Sequence, residues 1–137
     1  MKLVLDSSAT LARAFPDERT AAILDLFLLI ASHGAVVPEL WRIEVANTLN
    51  VGIRRGRISK ANRQGILADL ESLPISIDWE TRNHTWGKTL ELADRHRLTV
   101  YDATYLELAL RLSLPLATLD DELRNAAQLE GVPLLGK

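Results

Sequence analysis

Short apolar runs that alternate with longer helix-like segments constrain the fold of this chain more than any other feature of its sequence. The runs predict buried strands at residues 2–5, 35–37, 75–77, 114–118 and 132–135. Helices are predicted between them at residues 9–15, 18–32, 39–55, 60–72, 81–96, 102–112 and 120–129, the last beginning at Asp120 or Asp121. Alternating strands and helices are typical of a parallel sheet covered by helices. The sequence therefore predicts an α/β fold with a short-stranded, mainly parallel central sheet.

The length and the cysteine content limit the possible classes of protein. The chain has 137 residues, which predicts a single domain over residues 1–137. It has no cysteine, which excludes a disulfide framework, a thiolate zinc site and a cysteine nucleophile. The first apolar run stops at Asp6, too early for an export signal, and the longest apolar stretch, residues 26–31, is too short to span a bilayer. We therefore expect a cytoplasmic protein.

Basic residues are concentrated in one segment of a chain whose net charge is −2. Residues 42–63 include six of the 16 Lys and Arg residues but only one of the 18 Asp and Glu residues. The six are Arg42, Arg54, Arg55, Arg57, Lys60 and Arg63. Such a segment is suited to binding a polyanion. It is equally typical of a solvated helix end with ordinary surface arginines, so the sequence leaves both interpretations open.

Four acidic residues stand out by their positions: Asp6, Glu44, Asp102 and Asp120. Asp6 and Asp120 follow the first and fourth predicted strands, and the carboxyl ends of parallel strands line the ligand crevice of such sheets. Asp102 begins a predicted helix, and Glu44 lies among apolar residues, where a buried carboxylate needs a cationic partner. Each acid also has an ordinary interpretation. The three aspartates would serve as helix N-caps, and Glu44 as a surface residue.

As a set, the four acids indicate more than each does alone. Carboxylates gathered at one sheet edge would repel one another unless cations lay between them. Oxygen ligands in this number suit Mg²⁺ or Mn²⁺, and a divalent ion with an activated water is a common means of phosphodiester hydrolysis. The three histidines, His33, His84 and His96, lack the spacing of metal ligands, and we expect them at the surface.

Four stretches containing these acids resemble the PIN-domain family, specifically the VapC type of toxin from toxin–antitoxin pairs. They are MKLVLDSSA at 1–9, VPELWRIEVAN at 37–47, LTVYDATYLELA at 98–109 and LPLATLD at 114–120. Their order and spacing match along essentially the whole chain. The resemblance implies a PIN-like three-layer α/β/α fold. It also implies an endoribonuclease that depends on Mg²⁺ or Mn²⁺, forms a homodimer and is neutralised by a small VapB-like antitoxin.

The resemblance also assigns roles to individual residues. Asp6, Glu44, Asp102 and Asp120 match the four family acids, which implies that they are catalytic residues and metal ligands. Ser8 and Thr118 match hydroxyl residues that support them, and Asp121 could share the role of Asp120. The basic residues that would then hold the RNA backbone are Arg54, Arg55, Arg57, Lys60 and Arg63.

Three other functions are alternatives to this one. A phosphorylated signalling receiver needs an acid pair at the first strand and a late lysine after a strand, and an aspartyl phosphatase needs an Asp-x-Asp motif. The first predicted strand of this chain is followed instead by Asp6, Ser7 and Ser8. The third alternative, a catalytically inactive PIN-fold module that binds RNA or protein, is left open by the sequence.

Overall fold

The central sheet has five parallel strands. A computed structural model describes residues 1–137, with β1 at Leu3–Leu5, β2 at Ala35–Pro38, β3 at Ile75–Asp78, β4 at Leu116–Ala117 and β5 at Leu134–Leu135. The strand order is β3-β2-β1-β4-β5, and every neighbouring pair is parallel. In the centre, Val4 is in register with Val36 on one side and Leu116 on the other. The predicted α/β fold with a mainly parallel sheet is confirmed.

Seven helices cover the sheet and give the three-layer arrangement. They are α1 at Ser7–Ala12, α2 at Ala21–His33, α3 at Leu40–Arg54, α4 at Lys60–Glu71, α5 at Lys88–His96, α6 at Val100–Leu112 and α7 at Asp121–Leu129. Short 3₁₀ turns lie at Pro16–Glu18 and Thr81–Asn83. None of these helices combines the length and the apolar character needed to cross a bilayer.

The core is centred on β1 and α6. Leu3, Val4 and Leu5 are completely buried, as expected for a central parallel strand covered on both faces. In α6, seven consecutive residues from Ala103 to Ala109 are buried, so this helix is enclosed almost all round. Burying each large apolar side chain contributes roughly 1.5–3 kcal/mol to stability. The first turn of α6 and the end of β1, which carry Asp102 and Asp6, are therefore anchored by the best-packed part of the molecule.

Several predicted boundaries were wrong, and the local capping explains them. The helix predicted at 81–96 is two elements, because Gly87 has a non-helical backbone (φ −115°, ψ −103°) and α5 begins only after it. The helix α6 begins before Asp102, because the Thr99 hydroxyl accepts a hydrogen bond from the Asp102 amide at 3.1 Å. The fourth and fifth strands are shorter than predicted, with two paired residues each.

Gly34 joins α2 to β2 in a backbone conformation that only glycine adopts without strain. Its φ is +86° and its ψ is 166°, and a Cβ added there would lie 3.1 Å from the carbonyl oxygen of Pro74. That carbonyl also accepts a hydrogen bond from the Ala35 amide at 3.0 Å. The turn therefore fixes the start of β2 against the segment that leads into β3.

We predict that Gly34→Ala lowers the free energy of unfolding by about 2–4 kcal/mol, because it adds a tight contact with the Pro74 carbonyl to the backbone strain. Gly56→Ala is the matched control, since Gly56 also has a positive φ (+73°) but nothing within 4 Å of an added Cβ. Its expected cost is about 1 kcal/mol. Urea denaturation measures both, and equal costs would contradict the proposed clash with Pro74.

Candidate active site

The four predicted acids converge at the carboxyl edge of the sheet. Asp6 follows β1 and Asp120 follows the neighbouring strand β4, while Asp102 lies in the first turn of α6 and Glu44 in α3. Burial, followed by the negative charges of Asp120 and Glu44, raises the pKa of Asp102 to about 6. Asp102 in turn helps to raise the pKa of Asp6. The structure therefore brings all four carboxylates within electrostatic range of one another.

Asp6 is held in one orientation by donors from its own loop. Its side chain is the N-cap of α1 and accepts a hydrogen bond from the Ala9 amide at 2.9 Å, while the Ser8 hydroxyl donates to both carboxylate oxygens at 2.8 and 3.0 Å. Asp6 is only 3% exposed. Burial raises its pKa to about 6, although the hydrogen bonds from Ala9, Thr118 and Ser8 lower it in part. Asp6 thus caps α1 and also belongs to the carboxylate cluster.

Glu44 is oriented by Tyr105, a residue that the sequence analysis missed. The Tyr105 hydroxyl donates a hydrogen bond to Glu44 Oε1 at 2.5 Å, and the tyrosine is 1% exposed. Burial and the negative charge of Glu44 raise the pKa of Tyr105, so the hydroxyl keeps its proton. Tyr105 lies one turn after Asp102 on α6, on the same face of that helix. A polar phenol at this position was the feature of the sequence that could have indicated its role. Tyr105 ties α3 to α6 at the site.

Two hydroxyl residues join the loops that carry Asp6 and Asp120. Ser8 Oγ lies 3.4 Å from Thr118 Oγ1 and accepts a hydrogen bond from the Leu119 amide at 3.0 Å. Thr118 Oγ1 accepts a hydrogen bond from the Asp120 amide at 3.1 Å. The residues expected to support the acids therefore lie beside them and link the ends of β1 and β4.

The structure separates Asp120 from its neighbour Asp121. Asp120 is the N-cap of α7 and accepts a hydrogen bond from the Leu123 amide at 2.9 Å, close enough to Asp102 to affect its pKa. The Asp121 carboxylate is exposed and contacts Lys137 Nζ at 2.7 Å, and this hydrogen bond lowers its pKa. Asp121 is not brought to the cluster. Glu122 is a fifth acid that was missed, and its charge also raises the pKa of Asp102.

The donor set suits a divalent metal ion in its chemistry. No three of these side chains form a group that would hold an ion in their present orientations. The Ala9 amide, the Tyr105 hydroxyl and the Leu123 amide each donate to one oxygen, of Asp6, Glu44 and Asp120 in that order. Glu44 Oε2 and Asp120 Oδ2 accept no hydrogen bond from the protein. None of the four acids forms an ion pair with Lys, Arg or His. Mg²⁺ and Mn²⁺ prefer carboxylate oxygens as ligands, and these oxygens have no cationic partner in the protein. Rotation of the side chains would be needed to bring them to one ion.

The basic residues predicted to bind RNA, which we call the basic arm of residues 54–63, begin far along α3 from Glu44. Arg54 lies ten residues after Glu44 on α3, which is about 15 Å along the helix. Arg54, Arg55 and Lys60 are exposed, and Arg63 is half-buried. Arg57 is engaged elsewhere: it forms an ion pair with Asp17 at 2.9 Å and lies over the Phe15 ring at 4.1 Å.

Comparison with known proteins identifies the class to which this fold and site belong. The PIN domain family matches residues 3–129, so the chain belongs to that family and the resemblance of its four sequence stretches is confirmed. It is 32% identical to Ribonuclease VapC3 of Pyrobaculum aerophilum in an alignment of 131 residues, and the match covers 90% of this chain and 92% of the relative.

Two solved structures show the same fold. PAE2754 from Pyrobaculum aerophilum superposes with a TM-score of 0.70 at 23% identity, covering 98% of this chain and 89% of the other. FitAcB from Neisseria gonorrhoeae superposes with a TM-score of 0.61 at 17% identity, covering 98% and 96%.

Asp6→Asn should stabilise the metal-free protein at pH 7.5, because it removes a buried negative charge and asparagine is an equally good N-cap. A pKa raised to about 6 means that ionisation opposes folding above pH 6. This penalty disappears as the pH falls from about 6 to 4, because the folded protein binds the proton first. We expect a gain of about 1–3 kcal/mol at pH 7.5 in EDTA and none near pH 4.

Thermal unfolding at both pH values measures this gain. The exposed Asp25 on α2 supplies the control, and Asp25→Asn should change the unfolding temperature little at either pH. A loss of stability by Asp6→Asn at pH 7.5 would show that the Asp6 carboxylate is compensated in the folded protein.

Proposed function

We propose that this protein is an endoribonuclease dependent on Mg²⁺ or Mn²⁺, acting as the toxin of a type II toxin–antitoxin module. The observation that carries the proposal is the cluster of four converging carboxylates without a cationic partner, two of which have a pKa raised to about 6. Membership of the PIN domain family and the relative named Ribonuclease VapC3 support the same activity.

The residues of this chain prepare the site for phosphodiester hydrolysis. Asp6, Glu44, Asp102 and Asp120 would hold the divalent ion, which supplies charge neutralisation at the phosphate and lowers the pKa of a bound water. The Ala9 and Leu123 amides fix the orientations of Asp6 and Asp120, and the Tyr105 hydroxyl fixes that of Glu44. Fixed orientation reduces the reorganisation needed during the reaction. Ser8 and Thr118 keep the Asp6 and Asp120 loops together.

The substrate and partners belong to the same proposal. Arg54, Arg55, Lys60 and Arg63 would hold the RNA backbone away from the scissile bond through phosphate contacts. Arg57 is the weakest candidate, since its guanidinium already contacts Asp17 and Phe15. We further propose a homodimer, a VapB-like antitoxin as partner and a cytoplasmic location. Large exposed apolar side chains on α2 and α3, Leu28 and Ile43, offer surface for such partners.

One observation favours a second candidate, a catalytically inactive PIN-fold module that binds RNA or protein. In their present orientations the acids do not form a closed group of three metal ligands. Metal-dependent cleavage separates this candidate from the first.

The matched variants Asp120→Asn and Asp121→Asn test the proposed site. We expect wild-type protein to cleave total cellular RNA with Mg²⁺ or Mn²⁺ and not with EDTA. Asp120→Asn should lower the cleavage rate at least about 100-fold, since it removes one oxygen ligand and one negative charge. Asp121→Asn should cleave like the wild type, because its carboxylate contacts Lys137. Absence of cleavage by the wild-type protein under every condition would favour the inactive module.

Tyr105→Phe tests the positioning of Glu44. Removing the hydroxyl leaves the packing of α6 nearly intact but frees the Glu44 side chain. We expect the cleavage rate to fall about 5–10-fold, corresponding to about 1 kcal/mol for a hydrogen bond to a half-exposed carboxylate. The Mn²⁺ concentration for half-maximal activity should rise as well. A normal rate and a normal Mn²⁺ requirement would contradict this role for Tyr105.

A further inference from the structure

A polar cleft opens on α7, the helix that Asp120 of the carboxylate cluster caps. It lies between the end of α5 and the outer face of α7, has a volume of about 400 Å³, and is lined by Arg95, Arg97, Glu122 and Asn125, among others. This volume is within the range of pockets that bind small ligands. Its lining is mostly polar, and neither the four-acid site nor the basic arm of residues 54–63 includes any of these side chains.

Glu122 connects this cleft to the carboxylate cluster. Its side chain lines the cleft and lies in the first turn of α7, two residues after Asp120, the N-cap of that helix. A polymer bound with one phosphodiester at the carboxylates would therefore have the cleft beside its neighbouring groups. The basic arm, in contrast, begins about 15 Å along α3 from Glu44.

Arg97 is the uncompensated cation of the cleft. Arg95 contacts Glu130 at 2.8 Å and His96 contacts the same oxygen at 2.6 Å, so the charge of Arg95 is partly neutralised. The prediction that His96 is a surface residue was therefore wrong, since its side chain is 8% exposed and bonded to Glu130. Arg97 is exposed and forms no ion pair or side-chain hydrogen bond. Its guanidinium is free to bind an anion.

The backbone at Arg97 is less favourable for arginine than for glycine. Arg97 ends α5 in the left-handed conformation (φ 56°, ψ 40°), and the following Leu98 amide bonds to the Ala93 carbonyl at 3.0 Å. Glycine is the residue that this type of helix end favours. The position therefore holds a long, free cation where conformation alone favours glycine, so replacing Arg97 with glycine removes the cation at no conformational cost.

We propose that this cleft binds a backbone phosphodiester of the RNA strand adjacent to the one being cleaved, with the Arg97 guanidinium as the main donor and the Asn125 amide beside it. The proposal rests on the proposed ribonuclease function and identifies where the strand leaves the site. Guanidinium groups bind phosphate oxygens in a bidentate manner, which suits a single cation in a polar cleft.

Arg97→Gly tests the cleft, because it removes the cation while relieving the backbone. The measurement is the affinity for a fluorescein-labelled single-stranded RNA oligonucleotide in EDTA, between about 50 and 200 mM salt, together with the cleavage rate in Mn²⁺. We expect affinity to fall about 5–10-fold and the slope of log K against log salt to shrink by about 0.7, the value for one phosphate contact on a single strand. The unfolding temperature should stay the same or rise.

Ser113→Gly is the matched control. Ser113 ends α6 in the same left-handed conformation (φ 55°, ψ 45°) but lines a different cavity. It should gain stability like Arg97→Gly and bind RNA like the wild type. Arg97→Lys, which keeps the charge, should restore most of the salt slope and part of the affinity.

The outcomes distinguish this inference from the function on which it rests. If the wild type cleaves RNA and Arg97→Gly binds with unchanged affinity and salt slope, the cleft is not on the RNA path and the inference is overturned while the ribonuclease assignment stands. If the wild type neither binds nor cleaves RNA, both fail.

Discussion

The burial of uncompensated carboxylates at the carboxyl edge of the sheet, together with the smaller repulsion between them, is the constraint on which the rest of this structure depends. Elsewhere the chain compensates its buried acids. Glu107, on the same helix as Asp102, is 2% exposed and contacts Arg111 at 2.8 Å, and Asp78 contacts that same arginine at 2.7 Å. At the cluster no such cation is supplied, and burial raises the pKa of Asp6 and of Asp102 to about 6. An arrangement that opposes folding persists where function requires it.

Hydrogen bonds at helix ends and in the best-packed part of the core hold these carboxylates in place. Asp6 and Asp120 are both N-caps, so each carboxylate satisfies an amide at the positive end of a helix dipole. The enclosed helix α6 supplies Asp102 and also Tyr105, whose hydroxyl fixes Glu44. Structural and functional interpretations of these residues therefore do not compete, because the same hydrogen bonds that cap a helix also orient a carboxylate.

The sequence predicted those parts of the site that depend only on which residue directly follows a strand. Asp6 and Asp120 directly follow apolar runs, and strand ends in a parallel sheet converge whatever the details of packing. Glu44 was harder, because its place depends on which face of α3 is buried, and the apolar Ile43 beside it proved to be 69% exposed. Tyr105 was missed because its partner Glu44 lies on another helix, and Glu122 because its proximity to Asp102 depends on how α7 packs beside α6. Gly87, which divides a predicted helix, acts through a backbone conformation that no periodicity reveals.

The central claim is that the four carboxylates form one charge cluster completed by a divalent cation, and a thermal melt with and without MnCl₂ at pH 7.5 tests it most directly. A ligand that binds only the folded state stabilises it by RT ln(1 + [L]/Kd), or about 2.7 kcal/mol at 100 times Kd. We predict that Mn²⁺ raises the unfolding temperature of the wild-type protein and has little effect on the double variant Asp6→Asn with Asp102→Asn. The same shift in both proteins would place the ion elsewhere, and an unfolding temperature of the wild type that does not respond to Mn²⁺ would contradict the claim.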